Sequence, residues 1–131
     1  TDPLRQTVNY TTINNMAVWT EFETRGEKVQ AALWAGYTRN LGSNLSILNY
    51  SNTASGTEST VRGANLLSVL RVSPRLVFIR GNFNLATECE LTRACYASQT
   101  NGTLNRNEFG VITDFYSVHN VRVLLSVIYK F

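Results

Sequence analysis

Apolar and polar side chains alternate along most of this chain with a period of two, in segments separated by Gly, Asn, Ser and Thr, which predicts strands. The first segment covers about 15–24, with Met16, Val18, Thr20 and Phe22 on one face and Ala17, Trp19, Glu21 and Glu23 on the other. Arg25-Gly26-Glu27-Lys28 forms a short turn. A second segment follows over about 29–41, with Val29, Ala31, Leu33, Ala35 and Tyr37 sharing a face, so the two read as a hairpin.

A third segment spans about 66–79 and is broken only by Pro74; a tight turn at Arg80-Gly81-Asn82 leads into a fourth over about 83–91. Leu70, Val72, Pro74, Leu76 and Phe78 oppose Arg71, Ser73, Arg75 and Val77, and on the return Phe83, Leu85, Thr87 and Leu91 oppose Asn84, Ala86, Glu88 and Glu90. The last segment, about 118–131, places Val121, Val123, Leu125, Val127, Tyr129 and Phe131 opposite Arg122, Leu124, Ser126, Ile128 and Lys130. Trp19 and Trp34 fall on the polar side of their hairpin. Either they fill space there, or the faces of that hairpin are reversed.

Between these segments lie two long polar loops, over about 42–63 and 92–114, so turn length runs short, long, short, long. Loops of that length are uncommon in compact domains. Helical periodicity is hard to find. No run of about 18 apolar residues occurs, which excludes a transmembrane helix on length; the longest apolar stretch, Val123 to Tyr129, is interrupted by Ser126. The whole chain, 1–131, reads as a single all-β unit.

An apolar face, a more polar face and alternating short and long turns together describe an antiparallel transmembrane β-barrel meander. A closed sheet can satisfy every backbone N–H and C=O in lipid without helices. Tyr37, Phe78, Phe83, Tyr129 and Phe131 lie near segment ends, where two interfacial aromatic girdles would form.

The ending Val121-Arg122-Val123-Leu124-Leu125-Ser126-Val127-Ile128-Tyr129-Lys130-Phe131 resembles the C-terminal signal of bacterial outer-membrane β-barrels, a terminal aromatic following alternate apolar residues. The stretch Val72 to Phe78, the turn with Gly81, Leu85 to Thr92 and Asn120-Val121-Arg122 look like the tail of porin-like proteins of the Bacteroidetes type. That resemblance implies an outer-membrane location, a lipid bilayer around the barrel and recognition of the last strand by the barrel assembly machinery. Val123, Leu125, Val127, Tyr129 and Phe131 would carry that assembly signal.

About five strands are legible, whereas single-chain bacterial barrels have an even number of at least eight. Five cannot close around a filled interior. The chain is therefore expected to supply about five C-terminal strands of a larger barrel, completed by missing N-terminal strands or by other outer-membrane subunits.

Composition changes this picture little. The sequence has 131 residues, 44% hydrophobic, with a formal net charge of +3. Its Lys and Arg residues are scattered rather than gathered in a tract, so no nucleic-acid partner is expected.

Arg71, Arg75, Arg122 and Lys130, with Glu21, Glu23, Glu88 and Glu90, would point into a barrel lumen. Arg71, Arg75, Glu88, Glu90 and Arg122 are the candidate lumen charges. There they either set solute selectivity or form an ion-pair lattice that holds the wall.

Cys89 and Cys95 could pair in an exported protein. Six residues of extended strand separate Cα atoms by roughly 20 Å, so a disulfide requires the strand to turn soon after Glu90. Otherwise both are small apolar residues.

His119 lies near Ser117 and Asp114, but no nucleophile elbow accompanies them. No phosphate-loop pattern or metal-ligand spacing is present either. No catalytic residue, cofactor or metal is expected. Asn-x-Ser/Thr triplets at Asn9, Asn44, Asn49 and Asn101 read as products of polar loops.

Three function classes follow: a porin-like channel for passive passage of small solutes, a non-conducting outer-membrane barrel serving as surface anchor or subunit of a larger complex, and a soluble β-sandwich interaction or capsid-like domain.

Overall fold

A computed structural model of the chain describes residues 11–46, 63 and 65–131. Five long strands, β1 (Ile13–Glu23), β2 (Val29–Ser43), β3 (Leu66–Arg80), β4 (Phe83–Ala97) and β7 (Phe115–Tyr129), form one antiparallel sheet in the order β1-β2-β3-β4-β7. Two short strands, β5 (Gln99–Thr100) and β6 (Thr103–Leu104), make a separate hairpin between β4 and β7. The sheet is not closed. β1 and β7 are its edges.

β2, β3, β4 and β7 each hold 15 residues, against about 5–6 in an ordinary globular strand. At about 3.4 Å per residue such a strand is roughly 50 Å long. The short turns behave as their sequences predict. Thr24 N–H donates to the Ala31 carbonyl at 2.8 Å while the Thr24 hydroxyl accepts from Ala31 N–H at 2.8 Å, and this double clasp closes the first hairpin.

Two features differ from the sequence expectation. β3 runs through Pro74 without a break because its ladder to β2 is continuous there, with Leu33 opposite Pro74. The cost falls on the other side: the β3–β4 ladder passes from Val72↔Leu91 to Arg75↔Glu88 with no pairing for Ser73 or Pro74. Proline lacks the N–H a ladder needs on one of its two sides.

β4 continues to Ala97 instead of stopping at 91, since β7 pairs with it residue for residue from Phe83↔Tyr129 to Ala97↔Phe115. The second loop therefore covers 98–114 rather than 92–114, and it is built rather than irregular. Asn101 and Gly102, at φ 53° and 76°, form the two-residue turn of the β5–β6 hairpin, the Asn-Gly pairing such a turn favours because both residues need positive φ.

Asn105 Nδ2 donates to Ser98 Oγ at 2.8 Å, and the Ser98 hydroxyl donates to Asp114. Asn107 Oδ1 accepts from Phe109 N–H at 3.1 Å and from Val111 N–H at 2.9 Å. From this loop the Phe109 carbonyl reaches the end of β2 and accepts from Ser43 N–H at 2.7 Å. The first long loop begins at the end of β2; residues 47–62 and 64 lie outside the described residues.

Buried apolar residues are few among those described: Leu67, Cys95, Ala97 and Ile112, with Leu104 packed against them. All sit where the loop 98–114 folds on the ends of β3 and β4. No second layer covers either face of the long sheet among the described residues.

Candidate functional site: a charged belt on one face and a charge-free band on the other

Register assigns every strand side chain to one of two faces. Cross-strand partners share a face, and the series Trp34↔Ser73, Ala32↔Arg75↔Glu88 and Glu90↔Arg122 collects the strand carboxylates and three of the arginines on one of them. The strand carboxylates Glu21, Glu23, Glu88 and Glu90 all lie there, together with Arg71, Arg75 and Arg122. They occupy three adjacent rows near the middle of the sheet. Rows on either side of the belt carry neutral residues, such as Thr38, Val69, Ala94 and Val118 toward the long loops and Gln30, Val77, Ala86 and Ser126 toward the short turns.

Within the belt, two groups form. The carboxylate of Glu90 is buried and takes two guanidinia, Arg122 Nη2 at 2.9 Å and Arg71 Nη1 at 3.5 Å. Thr92 Oγ1 also donates to it at 3.5 Å. Arg75 Nη2 approaches Glu23 at 3.4 Å and Glu21 at 3.6 Å.

A shallow depression of about 200 Å³ lies among Glu21, Trp34, Arg71, Arg75, Glu88 and Glu90, with Ala32 and buried Ser73 at its floor. Trp34 belongs to this polar face, as the unreversed alternation requires, and its ring lies over Gly36. A Cβ on Gly36 would stand 2.3 Å from Trp34 Cη2, so glycine is what lets the indole lie flat on the wall. Trp19, opposite Gly36 on edge strand β1, is 70% exposed on the same face.

The five candidate lumen charges, Arg71, Arg75, Glu88, Glu90 and Arg122, thus share one face and one neighbourhood. Glu21 and Glu23 join them as partners of Arg75. The opposite face carries the alternate apolar residues, including Val18, Phe22, Leu33, Leu76, Phe78 and Leu91, and on β7 Val121, Val123, Leu125 and Val127, the last four 60–72% exposed. Tyr129 pairs with Phe83 at the short-turn end and stacks edge-on with Phe131, centroids 5.3 Å apart. Phe78 lies at the same end and Tyr37 toward the other, pairing with Leu70.

Cys89 and Cys95 are free. The condition for their pairing fails, because β4 does not turn after Glu90; both cysteines lie on one continuous strand, opposite Val123 and Ser117 respectively. Cys95 Sγ meets Ser117 Oγ at 3.4 Å.

His119 lies opposite Arg93 on the apolar face. Ser117 Oγ accepts from Arg93 Nη2 at 3.1 Å, and Asp114 accepts from Ser98, so the Ser, His and Asp that would make a triad are engaged elsewhere or apart.

Sequence reasoning missed the cationic edges of the apolar face. Arg39, Arg80 and Arg93 fall on it by the register, opposite or beside Ser68, Phe83 and Leu70, and no carboxylate of the five long strands does. Parity within the second segment would have found Arg39, whereas Arg80 lay in the expected turn and Arg93 in the expected loop.

No protein-family model matches the chain, and neither the curated proteins nor the solved structures contain a match.

Proposed function

We propose that this chain is part of a bacterial outer-membrane β-barrel whose activity is passive, porin-like passage of small solutes. One observation carries the reading: a charge-free apolar band on one face of a single-layer sheet, bounded by arginines at both ends. Along β3 the band runs from Leu70, the partner of Arg93, to Arg80. Ten residue steps of about 3.4 Å, tilted about 45°, rise roughly 24 Å, close to the apolar height of a transmembrane barrel wall. Exposed Leu, Val and Phe over that height would be strongly unfavourable in water and suit hydrocarbon.

The charged belt then faces the interior. Closure requires further strands. β1 and β7, the first and fifth of an antiparallel series, run in the same direction, so they cannot pair with each other in antiparallel fashion. An odd number of added strands, from the rest of a longer chain or from other subunits, gives the even total that bacterial barrels have. The exposed edge β7 carries Val123, Leu125, Val127 and Tyr129 outward, as a strand recognised by the barrel assembly machinery would.

A second reading, a barrel that anchors or joins a larger assembly without conducting, is favoured by the mutual pairing of the belt charges, which suits a lattice bracing the wall. A soluble β-sandwich would need a second sheet over the apolar face.

Detergent dependence and conductance separate the three. The barrel reading expects precipitation when detergent is removed and a change of gel migration on boiling. Discrete conductance in planar bilayers then supports the channel, and its absence supports the non-conducting barrel. A protein that stays monomeric and soluble in plain buffer overturns both.

A further inference from the structure

At the long-loop end of the apolar face lies a second concavity, of about 290 Å³, that the charged belt does not involve. Tyr37, Arg39, Ser68, Leu70, Arg93 and Phe115 line it. Apart from the β3-end residue Leu67, its lining residues belong to the apolar face by register: Tyr37↔Leu70, Arg39↔Ser68, Leu70↔Arg93 and Ser68↔Cys95. Two guanidinia therefore flank a cleft that has hydroxyls within it, an aromatic at either side, and the charge-free band below.

Arg93 is held in place. Its Nε and Nη2 donate to Ser117 Oγ at 3.3 and 3.1 Å, which fixes one edge of the guanidinium. Arg39 is exposed and has no ion-pair or hydrogen-bond partner among the described residues. His119 adds a third nitrogen group beside Arg93. All four strand carboxylates lie on the other face, so nothing acidic on the sheet neutralises this corner.

Two cations brought together with no carboxylate repel one another and are stabilised by an anion that both can reach. Guanidinia suit phosphate oxygens because their fork of donors matches the oxyanion geometry. The position selects the kind of phosphate. The cleft opens where the apolar band ends, so an occupant can place its charge between Arg39 and Arg93 and its hydrocarbon along the Leu70 and Val72 side of the sheet.

We propose that this cleft binds the phosphate of an anionic lipid headgroup at the membrane surface on the long-loop side. The proposal rests on the apolar band facing lipid. It adds a lipid-specific site at one border of that band. Arg80, at the opposite border beside Phe83, lies at the far end of β3 from the cleft and is not part of the site.

Native mass spectrometry of the protein released from micelles of neutral detergent tests this, with phosphatidylglycerol or phosphatidylcholine as the added lipid. Wild-type protein is expected to retain one phosphatidylglycerol at least tenfold more than phosphatidylcholine. The double variant Arg39→Gln/Arg93→Gln should lose that preference, and Arg80→Gln should keep it. Migration before and after boiling is measured on every variant, so loss of the fold is not mistaken for loss of the site.

Equal retention of phosphatidylglycerol by wild type and the double variant overturns the proposal while leaving the barrel reading intact. Displacement of the lipid by millimolar inorganic phosphate also overturns it, assigning the cleft to free phosphate. Wild-type protein that needs no detergent and shows no boiling shift removes the membrane reading, and this proposal with it.

Discussion

Arg75 on β3 reaches over β2 to Glu23 on β1, its Nη2 3.4 Å from the carboxylate, across a row in which Ala32 is the direct partner of both. The ion pair spans two strand spacings because the residue between them is alanine. A larger side chain in that row would stand between the two charges. The same guanidinium also meets Glu21, so one arginine ties the edge strand to the centre of the sheet.

Arg75→Ala should therefore loosen β1 without unfolding the sheet. All three side chains are more than a third exposed, and exposed pairs contribute about 1 kcal/mol or less. Urea unfolding in detergent should show a loss of that size that shrinks as salt is added. Ala32→Leu should reproduce it with every charge still present. A salt-independent loss in either variant would mean that packing, and not charge, is what Arg75 supplies.

Glu90 matters more, because its carboxylate is buried and serves two arginines. Glu90→Gln leaves Arg71 and Arg122 side by side with only a neutral amide between them, at an expected cost of about 1–3 kcal/mol. Adding Arg122→Gln should recover part of that loss. If the protein conducts, the single variant should also shift the reversal potential in a salt gradient toward anions. A single variant as stable as wild type would refute the assignment of Glu90 as the anchor of the belt.

Gly36→Ala should displace the Trp34 ring, since the new Cβ would lie 2.3 Å from its Cη2. Overpacking costs about 1–3 kcal/mol, at the low end here because the atom met is the tip of a side chain that can rotate. In a Trp19→Phe background the emission of Trp34 should shift while circular dichroism keeps its strand signal. Unchanged emission would place the ring elsewhere.

Cys89 and Cys95 should each take one equivalent of iodoacetamide when the protein is denatured without reductant. The predicted mass gain is that of two adducts. A mass showing no adduct until reductant is added would reveal a disulfide and require β4 to bend.

The sequence by itself determined the strands, their two faces and the short turns, because alternation is local chemistry: each residue's side is set by its neighbours along the chain. It placed Arg71, Arg75, Glu88, Glu90 and Arg122 on one side for the same reason, and Trp34 with them. Which charges meet was decided only by the tertiary structure, since partners follow from register between strands, and nothing within 66–80 indicates that Arg75 will face Ala32 and reach Glu23. The length of β4 was hidden in the same way. Residues 92–97 read as polar loop, yet β7 offers them a complete hydrogen-bonding partner, and the ladder outweighs their composition. The cleft between Arg39 and Arg93 joins residues of β2 and β4 that only the intervening β3 brings into adjacent rows, through Ser68 and Leu70.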